Sequence, residues 1–279
     1  MSRIACLDGE PSLLEGTGGH RLTSLLPPLS PTATAAERML ALVRHWPDVR
    51  AALDGGGALP EVDPERAAWS APLPRPGKIV AAPVNYRAHA AEMGAEHTIE
   101  QQGIFLKANS SVIGPGGTIV LPYPDRRTDQ EGELAVIVGR RARHVGVDQA
   151  LDAVFGYTCL VDVTLRGPED RSGRKSFDTF TPMGPWITTA DEVPDPDALL
   201  IRCWVNGDLR QEASTADLIF GVARLLSYVS HVMTLEPGDV VSTGTPTGVG
   251  PLAPGDRVTV EIDCVGRLEV GVEAAPAAG

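Results

Sequence analysis

Aromatic residues make up only 5% of the 279 positions, and no run of lysine and arginine is long enough to track a phosphate backbone. With 24 basic against 36 acidic side chains the net charge is −12, a field that repels nucleic acid and anionic membrane surfaces. An anionic substrate would have to be drawn in by a local cluster of cations. Cysteine is also sparse: Cys6, Cys159, Cys203 and Cys264 lack Cys-x-x-Cys spacing, and Cys159 and Cys203 lie in apolar runs. Buried free thiols are expected rather than disulfides. No apolar run approaches a membrane span. The opening "MSRIACLDGEP" reaches Asp8, Glu10 and Pro11 before a signal-peptide core can form, which predicts a cytoplasmic protein.

What is present is 43% hydrophobic residues, enough for one large core with or without an appendage. Stretches rich in Pro, Gly and Ala at 26–31 and 55–76 flank "TAAERMLALVRHWPDVRAAL", which has helical spacing. Residues 1–72 are therefore read as a small, loosely specified N-terminal region. From Lys78 onward short β-branched runs such as "KIVAAPV", "ELAVIVG" and "RVTVEIDC" alternate with turns, and helices are expected only near 147–154 and 214–233. The expected class is α+β, mainly β, with a catalytic domain over 73–272 and a disordered tail at 273–279. "LEPGDVV" and "LAPGDRV" read as one turn type used twice to enter a strand.

The chemistry gathers in "DQEGELAVIVG". Glu131 and Glu133 are two apart in a strand-like run, which puts both carboxylates on one face. Like charges that close repel, and burial forces a proton onto one of them unless a cation lies between. Asp162 in "CLVDVTL" is a third acid in apolar surroundings. Three carboxylates without a Cys or His pattern suit a hard cation, Mg²⁺ or Mn²⁺. An exposed strand edge, with Asp162 paired to an arginine, accounts for the same residues. In "NYRAHAAEM", His89 and Glu92 are three apart and share a helix face, as a general base and its orienting carboxylate would and as a surface pair would. In "RKSFDTF", Lys175 suits neutralisation of the acids or oxyanion binding, or a solvated loop with Arg174. Gly248, Gly250 and Ala253 satisfy G-x-G-x-x-A, but Pro251, Pro254 and a following strand exclude a dinucleotide fingerprint.

Taken in order, "NYRAHAAEM", "IFLKANSS", "EGELAVIVG", "VFGYTCLVDVTLR", "RKSFDTFTPMGPW", "VNGDLRQ" and "LEPGDVVSTGTPTGVG" resemble the fumarylacetoacetate hydrolase family. The resemblance covers about Lys78 to Gly250. It implies a mixed β-roll, a homodimer, and a Mg²⁺ or Mn²⁺ site at Glu131, Glu133 and Asp162. It implies a water-activating dyad of His89 and Glu92 on a lid spanning 89–102, and an active-site Lys175. Tyr86, Lys107, Arg166, Glu169 and Thr245 are implied as substrate contacts. The implied reaction is hydrolysis of a C–C bond in an acylpyruvate or related 1,3-diketo acid. Decarboxylation of oxaloacetate-like acids and isomerisation of 2-hydroxy-dienedioates are alternatives on the same scaffold. A non-catalytic accessory role is disfavoured because all six expected site residues are intact. The chain departs from the family pattern at Ala88, Gln130, Val161 and Glu169. A glutamate near the pocket at position 169 is expected to disfavour a second carboxylate on the substrate.

Overall fold

The computed structural model describes residues 2–92 and 99–276, apart from the side chains of His89, Ala90, Glu92 and Gln102. The strand Gly132–Val138 is the centre of the fold. All seven of its residues are buried, because both of its faces are covered. Leu134, Val136 and Val138 point into the larger core with Ile201, Cys203, Val258 and Val260. Ala135 and Ile137, of opposite parity, join Ile4, Leu42, Met183 and Val240 in a second core. Each large aliphatic side chain buried this way contributes about 1.5–3 kcal/mol.

Gly132–Val138 pairs antiparallel with Val154–Val161 on one side and Val240–Ser242 on the other. These belong to a twelve-stranded sheet that continues through Thr181–Thr189 at one end and through Ile79–Ala81 to Phe105–Lys107 at the other. A five-stranded sheet runs in the order Asp208–Ser214, Leu200–Val205, Arg257–Ile262, Gly266–Ala274, Thr118–Leu121, and the larger core lies between the two. A three-stranded sheet of Thr164–Leu165, Thr128–Gln130 and Gly250–Pro251 stands beside them. This is the expected mainly β, mixed-sheet α+β architecture. Among the described residues no helix is long and apolar enough to cross a membrane.

The N-terminal region is more tightly built than its composition suggests. Arg3–Leu7 pairs with Thr181–Thr189, with Ile4 opposite Ile187, so the first strands extend the large sheet. Glu10–Glu15 and Gly18–Arg21 continue it. The helix Ala35–Arg44 starts at a capping box of Thr34 and Glu37 and buries Met39 and Leu42 in the same core as Ile137. The strands escaped a reading by periodicity because they are short and interrupted by Gly9, Pro11 and Gly16. The far end also differs from expectation: Gly266–Ala274 pairs with Thr118–Leu121 through Ala274, two residues into the expected tail, while 277–279 lie outside the described residues.

Of the two expected helices, 147–153 is a 3-10 segment and Val222–Val232 is α-helical. The two "PGD" phrases form matching turns. In each the aspartate accepts from a backbone N–H three residues earlier, Glu236 for Asp239 and Ala253 for Asp256.

Candidate metal centre and active-site cleft

Two strands break at the same level, and the acids sit at the breaks. Thr128–Gln130 belongs to the small sheet and Gly132–Val138 to the large one, so Glu131 is the residue at which the chain changes sheets. Val154–Val161 ends in the large sheet and Thr164–Leu165 begins in the small one, with Asp162 at the crossing. The backbone N–H of Asp162 donates to the Glu131 carbonyl at 2.8 Å, which locks the two crossings together. Gly132 lets the five-stranded sheet pack closely against this point: a Cβ there would lie 3.1 Å from Cys203 Cβ and 3.2 Å from Val260 Cγ2.

The result is a trio of Glu131, Glu133 and Asp162, all buried, whose ligand oxygens lie within 4.8 Å of one another. Cations surround it. Lys175 Nζ donates to Glu131 Oε2 at 2.7 Å and to Asp162 Oδ2 at 2.5 Å. Lys107 Nζ donates to Asp162 Oδ1 and, at 2.9 Å, to the Phe180 carbonyl. Arg166 donates to Glu131 Oε1 at 2.9 Å and to Asp129 Oδ2 at 2.7 Å. Among the described residues Glu133 has no such cation; its Oε2 accepts from the Ser242 hydroxyl and, at 2.9 Å, from the Gly244 N–H. Gly244 can present that N–H because its φ of +94° is open to glycine.

Protonation follows from this asymmetry. Burial, reinforced by the neighbouring Asp162 charge, pushes the Glu133 carboxyl up to about 8. Burial acts the same way on Asp162, but Lys107 and Lys175 outweigh it and hold that carboxyl below the ordinary range. Burial opposes the charge on Lys175, yet Asp162, Glu131 and Glu133 raise its pKa above that of a free lysine. Burial lowers Lys107 despite Asp162 beside it.

Glu131, Glu133, Lys175, Arg166 and Thr245 line one cleft, together with Phe105, Arg171, Arg174 and the backbone turn at 82–84. Thr245 is fixed by donating to the Gly132 carbonyl and accepting from Gln211, at 2.9 and 2.8 Å. Three expected substrate contacts lie elsewhere. Lys107 is fully buried behind Asp162. Tyr86 is in the core, with its hydroxyl buried and without a partner among the described residues; burial and then the Glu133 charge raise its pKa. Glu169 is turned outward onto Arg126, 2.8 Å away, because Arg126 also clasps the Arg166 carbonyl on the same loop. The His89 and Glu92 side chains, and residues 93–98 of the expected lid, lie outside the described residues; the backbone of Arg87–Glu92 is helical.

Sequence reasoning missed Asp129 and Ser242. Asp129 is buried and bonded by both Arg127 and Arg166 at 2.7 Å. Its signal was available, since D-x-E-x-E extends the same alternation by one step. Ser242 carried no signal, because its place beside Glu133 depends on a strand pairing 109 residues away.

The family model for the fumarylacetoacetate (FAA) hydrolase C-terminal region matches residues 78–273. A maleylpyruvate hydrolase of Aquipseudomonas alcaligenes is 44% identical over 214 residues, 73% of this chain and 75% of that protein. The solved structure of a maleylpyruvate hydrolase from Sphingobium sp. SYK-6, in complex with manganese(II) ion and pyruvate, superposes with a TM-score of 0.87. It is 41% identical and the match covers 98% of this chain and 100% of that one. The 4-hydroxyphenylacetate degradation bifunctional isomerase/decarboxylase of Escherichia coli is 42% identical over 202 residues, 70% of this chain but 47% of that protein. With the strand-crossing acid trio and the mixed sheets that hold it, these matches establish that the chain belongs to the fumarylacetoacetate hydrolase family.

Proposed function

We propose that the protein is a divalent-metal-dependent hydrolase that cleaves a C–C bond in acylpyruvates and related 1,3-diketo acids. The observation that carries this reading is the convergence of Glu131, Glu133 and Asp162 within 4.8 Å beside a cation-rimmed cleft. Three carboxylate oxygens, with no imidazole or thiolate joined to them among the described residues, fit Mg²⁺ or Mn²⁺. The raised proton affinity of Glu133, caused first by burial and then by the Asp162 charge, marks a buried carboxylate whose charged form a cation would stabilise. The manganese and pyruvate in the similar Sphingobium enzyme support the same choice of metal and product.

When bound, the metal supplies Lewis-acid polarisation of a chelating 2-keto acid. Lys175, held charged by three acids, is the proposed donor to the substrate carbonyl oxygen. Arg166 and Thr245 shape the cleft around it, and Lys107 is reassigned from substrate contact to support of Asp162. His89 is the proposed general base, oriented by Glu92 one helical turn away. It takes a proton from water, whose oxygen adds to the distal carbonyl. The C–C bond then breaks, its electron pair leaves with the pyruvate fragment, and that fragment takes up a proton. The acyl part departs as a carboxylic acid.

The reading extends to a cytoplasmic homodimer. The four unpaired cysteines support a reducing compartment, and a monomer in sedimentation equilibrium would remove the dimer. Residues 2–72 are taken as a brace for the large sheet. The reaction itself is tested by turning over acylpyruvates in water labelled with heavy oxygen. Label is expected in the released acid. CO₂ release with little label, or a product of unchanged mass, would overturn the hydrolase in favour of decarboxylation or isomerisation.

A further inference from the structure

The segment "VNGDLRQ" is a hairpin at the edge of the five-stranded sheet, and one of its side chains reaches the metal centre. Asn206 and Gly207, with φ of +56° and +86°, form the two-residue turn between Leu200–Val205 and Asp208–Ser214, the conformation that Asn-Gly favours in hairpins. From that turn Val205 pairs with Asp208 and Trp204 with Leu209. Regular pairing would next set Cys203 against Arg210, but Cys203 faces Gln211. Arg210 is therefore the extra residue of a β-bulge. The shift exchanges faces: Arg210 is exposed and Gln211 is buried. Bulges beside functional sites re-aim side chains in this way. This one is seated on the turn that follows Thr245, where a Cβ on Gly248 would lie 1.9 Å from the Arg210 carbonyl oxygen.

Gln211 ends beside Gly132, the residue between the two glutamates. Its Oε1 accepts from the Gly132 N–H at 2.9 Å. Its Nε2 donates to Thr245 Oγ1 at 2.8 Å and to the Pro246 carbonyl at 2.9 Å. Thr245 Oγ1 donates in turn to the Gly132 carbonyl at 2.9 Å, which closes a ring of three residues. One peptide unit joins Gly132 to Glu131 and the next joins it to Glu133. The ring holds both, the first through Gln211 and the second through Thr245. Close packing against Cys203 and Val260 requires glycine at 132, and glycine is the loosest link a backbone can have. Two acids whose carboxylates must converge are thus joined by the residue least able to fix their relation, and the clamp comes from the other sheet.

We infer that Gln211 is a positioning residue for the metal centre: it fixes the relation of Glu131 to Glu133 by clamping the glycine between them, and couples that relation to the cleft wall at Thr245. Gln211 stands behind the cleft wall rather than in it, so it acts through the ligands and not on the substrate. The inference rests on the metal reading above and is independent of which reaction follows. The bulge at Arg210 and the Asn206–Gly207 turn are the devices that aim it.

The test is Mn²⁺ affinity, measured by calorimetry well below Tm so that only folded protein is read. Gln211→Met keeps the length of the side chain and removes its three hydrogen bonds. Affinity should fall by about 10–100-fold, the usual loss when a group that orients metal ligands is removed, and the electron paramagnetic resonance spectrum of the bound Mn²⁺ should change. Thr245→Val opens the ring from its other side and should weaken binding in the same direction, whereas Thr245→Ser keeps the hydroxyl and should bind as wild type does. The double variant Gln211→Met, Thr245→Val should lose little more than the larger single loss, because both residues act on one ring. A merely structural Gln211 would lower Tm and leave the affinity of the folded protein unchanged, which overturns the proposal. Additive losses in the double variant overturn it too, as does wild-type affinity in Thr245→Val should Gln211→Met fail to fold. If the wild type takes up no Mn²⁺, the metal reading falls and the proposal with it. If the wild type and Gln211→Met bind Mn²⁺ equally, only the positioning role falls, and the labelled-water result stands apart from both.

Discussion

Glu133→Gln keeps the volume of the side chain and removes its charge, so it separates two roles of that carboxylate. The amide oxygen can still accept from Ser242 and Gly244, and the fold should be retained. In the metal-free wild-type protein the carboxyl holds its proton up to about pH 8, against 4.5 when free. The native state therefore binds the extra proton between those values, and stability falls as pH rises through that window. At about 1.4 kcal/mol per pH unit, the loss is on the order of a few kcal/mol. Melting curves with chelator from pH 5 to 9 should show this decline in the wild type and not in the variant, which has no proton to lose there. With Mn²⁺ present the wild type should melt higher at pH 8, as binding to the native state requires, and the variant should shift little because a ligand is missing. Metal uptake by the wild type at pH 7 should release about one proton, readable by calorimetry in buffers of different ionisation enthalpy. Unchanged metal affinity in Glu133→Gln, or parallel pH curves for the two proteins, would refute the argument.

His89→Ala should slow hydrolysis by about 10²–10⁴-fold with metal affinity intact by calorimetry; a smaller effect would point to another base. Lys175→Met leaves Glu131 and the Asp162 contact short of a cation, and the metal-free protein should lose about 3–5 kcal/mol in denaturant unfolding, part of it recovered by Mn²⁺. Asp129→Asn weakens two charge-assisted hydrogen bonds and should cost about 1–3 kcal/mol, with a larger loss in turnover than in metal affinity if its task is to aim Arg166. Gly132→Ala drives a methyl against Cys203 and Val260 and should destabilise by about 1–3 kcal/mol, seen as a lower Tm.

What could be read from the sequence was what local pattern controls. The shared face of Glu131 and Glu133 follows from a period of two, and the apolar frame of Asp162 and the buried character of Leu134 to Val138 follow from unbroken hydrophobic runs. The run's uninterrupted hydrophobicity reflects cover on both faces. Contacts decided by distant pairing were beyond reach. Glu169 looked like a pocket acid because its neighbours in the chain line the pocket, yet Arg126, 43 residues away, draws it outward. Lys107 looked like a substrate contact by its place in a motif, and Phe105–Lys107 at the sheet edge instead turns it inward beneath Asp162. The N-terminal strands were hidden by brevity, and become strands because Thr181–Thr189 offers them an edge.

The coupling of two strand crossings by the Asp162 to Glu131 backbone bond bears on how the protein matures. Glu131 and Glu133 are near neighbours in the chain, but Asp162 joins them only when the strand pair has closed, and the Ser242 contact needs a loop of 109 residues to close as well. Closing such loops costs chain entropy that only the paired strands repay, so an unfolded chain offers a metal ion no assembled cage. The polypeptide must reach its native topology first, and Lys107 and Lys175 act as internal placeholders that quiet the acids until the ion arrives. Metal loading would then be a final quality check, available only to molecules whose long-range strand pairing is already correct.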